Sequence, residues 1–139
     1  MTINQDNIDL ARHYIQKSRS RYDDGLVLKN VDRYESAANR LYYALLYATN
    51  AVLTLKGAAS NRHRGVKTLF DMHYIKTGIM DRKYSKLYNM VLEVREDSDY
   101  EDFYVIDKSE VDNNFILVKQ FIDYADEFIH KVESGKIEI

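Results

Sequence analysis

Apolar residues recur along this chain at intervals of three and four, the spacing of one helical face, and no alternating run competes as a strand. The pattern predicts five helices. The first covers residues 6–22, turns Leu10, Tyr14, Ile8 and Ile15 inward, and is broken at Asp23-Asp24-Gly25. The second covers residues 31–56, roughly 38 Å at 1.5 Å per residue. It carries Tyr34, Ala37, Ala38, Leu41, Ala44, Leu45, Ala48, Val52 and Leu55 on one broad face, where the alanines permit close packing. After a loop at 58–63, a third helix runs over 64–76 and stops at Gly78. The fourth spans 81–97, with Asp81 as N-cap and Tyr84, Leu87, Tyr88, Val91 and Val94 inward. Residues 98–108 read as a polar loop holding Phe103 and a locally extended Tyr104-Val105-Ile106. The fifth helix starts at Ser109, whose spacing to Asp112 resembles a capping box. It buries Val111, Phe115, Val118, Ile122, Ala125, Ile129 and Val132, and residues 134–139 are expected to fray. Short connections favour antiparallel neighbours. The expectation is an all-α fold: an up-and-down antiparallel four-helix bundle plus one additional helix, in a single domain over residues 1–139.

Composition narrows this further. The chain has no proline, which suits long helices. It has no cysteine, which excludes disulfides, thiolate metal sites and cysteine nucleophiles and fits a reducing compartment. Residues 1–9 are polar and carry no apolar signal core. The uncharged run from Leu41 up to Lys56 is shorter than the roughly 20 apolar residues of a membrane span. A cytoplasmic protein without membrane contact is therefore expected. The net charge of −2 is unevenly spread. Residues 62–86 hold seven Lys or Arg against Asp71 and Asp81, while residues 93–112 hold nine Asp or Glu against Arg95 and Lys108. These are either two solvated faces that attract each other within the fold or across a dimer, or a basic patch for phosphate beside an acidic rim. The basic patch would comprise Arg62, His63, Arg64 and Lys67.

The second helix has an unusual polar stripe: Arg33, Ser36, Arg40, Tyr43, Tyr47 and Thr54 fall within a narrow arc. A guanidinium flanked by two phenols suits a phosphate and a stacked base. The same residues also suit helix packing with Arg40 in a structural ion pair. Near the end of the fourth helix, Arg95 stands among carboxylates in Val94-Arg95-Glu96-Asp97-Ser98-Asp99-Tyr100-Glu101-Asp102-Phe103. Arg95 and Asp99 are four apart, which suits an ion pair. Arg95 also suits paired hydrogen bonds to a phosphate.

Three segments resemble the small prokaryotic HEPN domains. They are Ser36-Ala37-Ala38-Asn39-Arg40-Leu41-Tyr42-Tyr43-Ala44, the run from His63-Arg64-Gly65 to Thr77-Gly78, and Arg95 through Asp102. Their order and spacing match across residues 5–133. The resemblance implies a helical bundle, usually a homodimer. In its nuclease members an arginine, and a histidine five to seven residues after it, form a metal-independent site at the dimer cleft. Arg95 matches that arginine, but Tyr100, Glu101 and Asp102 stand where the histidine would be. The subgroup resembled has an arginine followed by an aspartate-tyrosine pair and is often encoded beside a minimal nucleotidyltransferase in a toxin–antitoxin-like pair. In some histidine-bearing pairs the partner adenylylates a tyrosine near the motif, and Tyr100 or Tyr104 is the analogous position.

RNA cleavage without metal needs a base near neutrality, the task histidine suits. Asp99 or Glu101 would need burial to serve. His73 reads as a packed or surface residue, and His63 is a possible phosphate contact. The acidic loop follows no calcium-loop spacing, so neither metal nor cofactor is expected. The expected cleft comprises Arg40, Tyr43, Tyr47, Arg95, Asp99 and Tyr100, with no catalytic residue assigned. The leading reading is a module that binds nucleotide or RNA phosphate and partners a nucleotidyltransferase. A metal-independent endoribonuclease toxin with a non-histidine base, and a structural dimer without ligand, remain as alternatives.

Overall fold

The uncharged run beginning at Leu41 gives the molecule its centre. The computed structural model describes residues 4–60 and 62–139, and only the backbone of His63 and Arg64. In it that run lies in the second helix, α2 (Tyr34–Leu55), after α1 (Gln5–Asn30). From Ala44 to Leu55 every residue except Tyr47 is buried. Helix α2 is covered by α1, α3 (His63–Phe70), α4 (Arg82–Tyr100) and α5 (Lys108–Glu133), and a π-helical turn, Asp71–Ile75, extends α3.

Side-chain contacts fix the helix directions. Ser18 Oγ donates to Ala44 O at 2.6 Å and Tyr14 stacks on Tyr47, so α1 and α2 are antiparallel. Tyr88 meets Tyr42, while Asp99, later in α4, shares a cleft with Ser36 and Arg40, earlier in α2, so α4 opposes α2. Tyr22 OH donates to Phe115 O at 3.0 Å, Arg19 pairs with Asp126, and Arg12 pairs with Glu133, so α5 opposes α1. Helices α2 and α5 therefore run parallel across the bundle. The described residues form an all-helical, up-and-down bundle of four long helices plus α3, as the hydrophobic pattern predicts.

Several boundaries differ from the sequence expectation, each for a local reason. Helix α1 continues through Asp23-Asp24-Gly25 to Asn30. Gly25 is buried there, and a Cβ added to it would sit 3.1 Å from the Phe115 ring. Its role is close packing, not chain breaking. Leu10 is 42% exposed, because it lies about 100° round the helix from the buried Ala11. Helix α4 continues to Tyr100, and the Glu101 N–H still donates to Asp97 O, so Arg95 and Asp99 share one helical face. Helix α5 begins one residue earlier, at Lys108. Its N-cap is Asp107, whose carboxylate accepts from the Glu110 N–H at 3.2 Å, not Ser109. The C-terminal segment does not fray. Gly135, at φ 78°, turns the chain so that Lys136 and Ile137 N–H donate to Lys131 O, and Ile137 and Ile139 rest against the core.

Helix α3 and its π turn close the far end of α2. Buried Asn50 bonds both the carbonyl and the N–H of Ser60, at 3.0 and 3.2 Å. Tyr74 OH donates to Val52 O, and Lys56 Nζ donates to His73 O at 2.7 Å while lying over the Tyr74 ring. This cover is why Thr54, expected on the polar stripe, is buried.

Two substitutions test these assignments. Gly25→Val forces a branched side chain against Phe115 and is expected to cost about 1–3 kcal/mol in urea unfolding; wild-type stability would show that the packing is loose. Asp107→Ala should lose about 1 kcal/mol as a removed N-cap, while Ser109→Ala should stay near wild type, and the reverse ranking would return the cap to Ser109.

Candidate functional site

The exposed half of α2 is its first half, and the C-terminal turns of α4 lie beside it. The Arg95 guanidinium sits 5.0 Å from the Tyr42 ring and 5.7 Å from the Tyr43 ring, a double cation–π contact. Its side chain is only 16% exposed. Asp99 Oδ2 is 3.6 Å from Arg95 Nε, an ion pair too long for a hydrogen bond. The Nε–H is buried and has no hydrogen-bond partner. The two rings, more than the carboxylate, therefore hold the guanidinium in place.

Beneath Arg95 the phenols are locked in the neutral form. Tyr42 and Tyr88 hydroxyls are 3.3 Å apart. Burial pushes the Tyr42 phenol up, while the Tyr88 hydroxyl and Arg95 draw it partly back. Burial and the bond to Tyr42 hold Tyr88 well above the usual range. Tyr42 was the member of this assembly that sequence reasoning missed. Its signal was the adjacent pair Tyr42-Tyr43, of which one ring faces the core and the other the edge of the seam.

An open cleft of about 360 Å³ lies beside Asp99, lined by Leu28, Glu35, Ser36, Asn39, Arg40 and Asp99 itself. Asp99 links the two features, since it lines the cleft and pairs with Arg95. The structure thus brings together Arg40, Tyr43, Arg95 and Asp99. It does not add Tyr47, which stacks on Tyr14 at 6.2 Å and lies under Lys17 on the α1 side. Tyr100 is 75% exposed at the end of α4 and does not line the cleft. Tyr104 is half-buried, and its phenol is pushed up first by burial and then by Glu110, Asp97 and other carboxylates.

Of the expected basic patch, the structure describes the side chains of Arg62 and Lys67. Lys67 is engaged by Asp71 at 2.6 Å, and Arg62 is exposed. The side chains of His63 and Arg64 lie outside the described residues. No described histidine side chain approaches Arg95. His73 sits in the π turn beyond the other end of α2, His130 pairs with Asp126 on α5, and His13 packs beside Tyr14 on α1. Among the described residues no group of three or more His, Asp or Glu is placed to hold a metal ion. No described helix is long and apolar enough to cross a membrane. Chemically, the cleft can offer Arg40 to an anion and Ser36, Asn39 and Asp99 to polar groups beside it.

A family model for the HEPN domain matches residues 11–134. A UPF0332 protein of Thermotoga maritima is 29% identical over 89% of this chain and 94% of its own length. A UPF0332 protein of Archaeoglobus fulgidus is 27% identical over 90% of this chain and 88% of its own. The Methanocaldococcus jannaschii protein named "Putative toxin MJ0142" is 29% identical over 70% of this chain and 67% of its own.

The buried phenols set an alkaline limit to stability. Folding raises the proton affinity of Tyr42, Tyr74 and Tyr88 above that of unfolded tyrosine, near 10. The folded state then binds more protons than the unfolded state above about pH 10, so their contribution is complete below that pH and declines above it. The urea midpoint should fall as pH rises past about 10, with tyrosinate absorbance from these phenols appearing only on unfolding. A midpoint unchanged under strongly alkaline conditions would contradict the burial.

Proposed function

The chain belongs to the HEPN domain family, and on that premise we propose that it is a toxin-like HEPN module that binds a nucleotide or RNA phosphate in the cleft between Arg40 and Arg95. The observation that carries this reading is Arg95 itself: a guanidinium seated on two tyrosine rings and paired with Asp99, which lines an open cleft together with a second arginine, Arg40. A cation held by aromatic rings needs no carboxylate to keep it in place and retains donors for a ligand. Asp99 limits how much negative charge the cleft accepts and suits a ligand with hydroxyl or amino groups next to its phosphate. Two Methanocaldococcus jannaschii relatives with toxin names support the toxin-like reading. A minimal nucleotidyltransferase is the proposed partner, as the resemblance of Arg95, Asp99 and Tyr100 to the subgroup motif implies.

This reading assigns binding to the cleft and leaves cleavage without a base. A hydrolytic version would need a group other than the described histidines to take the 2′-hydroxyl proton.

Calorimetry with ATP and with a short single-stranded RNA tests the site. Arg95→Ala and Arg40→Ala should each weaken binding about 10- to 100-fold, the range expected when a charge-assisted contact is lost. Asp99→Asn should strengthen it by removing a repelling carboxylate. Expression of the wild type should arrest growth, and Arg95→Ala should relieve the arrest. Unchanged affinity in both arginine variants would sink the cleft assignment.

A further inference from the structure

The cleft beside Arg40 does not end at Ser36. A second open cleft, of about 340 Å³, adjoins it and shares Glu35 and Ser36 with it. Past that shared wall, Arg33 and Lys108 line the second cleft together with Asp32 and Tyr34. The two hollows therefore lie in series along the start of α2, one holding Arg40 and the other Arg33. Seven residues separate these arginines, two helical turns or about 10 Å.

Charge is unevenly arranged along this track. Arg33 and Arg40 are exposed, and among the described residues neither forms an ion pair. The carboxylates at the two ends are engaged: Asp99 pairs with Arg95, and Asp32 pairs with Lys108 at 2.6 Å. Both members of the second pair are more than half exposed, so the pair is weak and Lys108 is free to turn to a stronger acceptor. Lys108 also lies 5.3 Å from the Tyr34 ring, whose hydroxyl is tied to Asp112, and this holds the ammonium at the wall of the second cleft. Glu35, at the divide, is exposed and forms no ion pair among the described residues. Cations thus stand at either side of a central carboxylate. Phosphates joined directly, as in a triphosphate tail, would lay negative charge against Glu35. Phosphates separated by a sugar would not. They reach the two arginines while a sugar hydroxyl donates to Glu35 or bonds Ser36.

We propose that Arg33 and Lys108 form a second phosphate subsite, and that the ligand of the combined track is a single-stranded polynucleotide held through two phosphodiesters, not a free nucleotide. The proposal rests on the reading of the Arg40 cleft as a phosphate site. Arg33 and Lys108 act as specificity-determining residues, since only a ligand long enough to cross the divide gains from them.

The test is binding by the full chain over a salt series, with helical content checked by circular dichroism. The probes are a short single-stranded RNA, a nucleoside monophosphate and inorganic tripolyphosphate. The RNA should bind at least about tenfold more tightly than the other two. Arg33→Ala and Lys108→Ala should each weaken RNA binding about three- to tenfold. Each should also reduce the slope of log affinity against log salt by roughly 0.7, one phosphate contact. Neither should change binding of the monophosphate, whereas Arg40→Ala should weaken both ligands. Asp32→Asn, a residue tolerated at φ 64°, should tighten RNA binding by releasing Lys108. RNA affinity and salt slope indifferent to Arg33→Ala and Lys108→Ala, with Arg40→Ala still weakening the monophosphate, would overturn the second subsite and leave the first standing. Tripolyphosphate binding as tightly as RNA would overturn the assignment to a strand. Failure of all three probes to bind would remove the Arg40 site and the second subsite with it.

Discussion

Burial of the second half of α2 is the constraint on which the molecule depends. An uncharged helix segment enclosed on all sides needs four neighbours, and the chain supplies them as α1, α3, α4 and α5. Most polar groups drawn inside find a partner, Thr54 Oγ1 and Asn114 Oδ1 being exceptions among the described residues. Thr49 bonds back to Leu45 O, Asn50 grips Ser60, and Ser18 bonds Ala44 O. Tyr74 reaches Val52 O, and the π turn lets the His73 carbonyl accept from Lys56 and Thr77. The α3 segment is thereby anchored to α2 by several hydrogen bonds as well as by packing.

The same constraint decides where a site can be. With its second half enclosed, α2 can present functional side chains only from its first half, where Ser36 and Arg40 are exposed. Helix α4 runs antiparallel to α2, so its C-terminal turns arrive at that half and bring Arg95 and Asp99 with them. The tyrosine pair performs two tasks. Tyr42 faces the core and bonds Tyr88, while Tyr43 stays at the edge, and both rings support the guanidinium. Structure and chemistry therefore meet in one helical turn.

Much of the fold was legible in the sequence because it is written in helical periodicity. The α2 face from Ala37 to Leu55 and the α5 stripe from Val111 to Val132 are buried as the spacing predicts. The errors fall where a residue type has two physical uses. Gly25 looks like a breaker, but it is a close-packing glycine under Phe115, a partner 90 residues away that no local pattern shows. Ser98-Asp99-Tyr100 looks like the start of a loop, but it belongs to the last turn of α4. Ser109 and Asp107 both suit a cap, and only geometry chooses between them. In the cleft, Arg40, Tyr43, Arg95 and Asp99 could be proposed from spacing and motif. Tyr47 could not be excluded, because its displacement depends on Tyr14 of α1.

The central claim is that Arg95, held by two tyrosine rings and paired with Asp99 beside the Arg40 cleft, responds to an anionic ligand. Nitrogen-resolved NMR of arginine Nε–H groups during titration with ATP or short RNA tests it most directly. The account expects saturable shifts of the Arg95 and Arg40 signals, with Arg12 and Arg19, engaged in ion pairs along the α1–α5 seam, unmoved. An unresponsive Arg95 signal, or equal shifts across all four arginines, would contradict it.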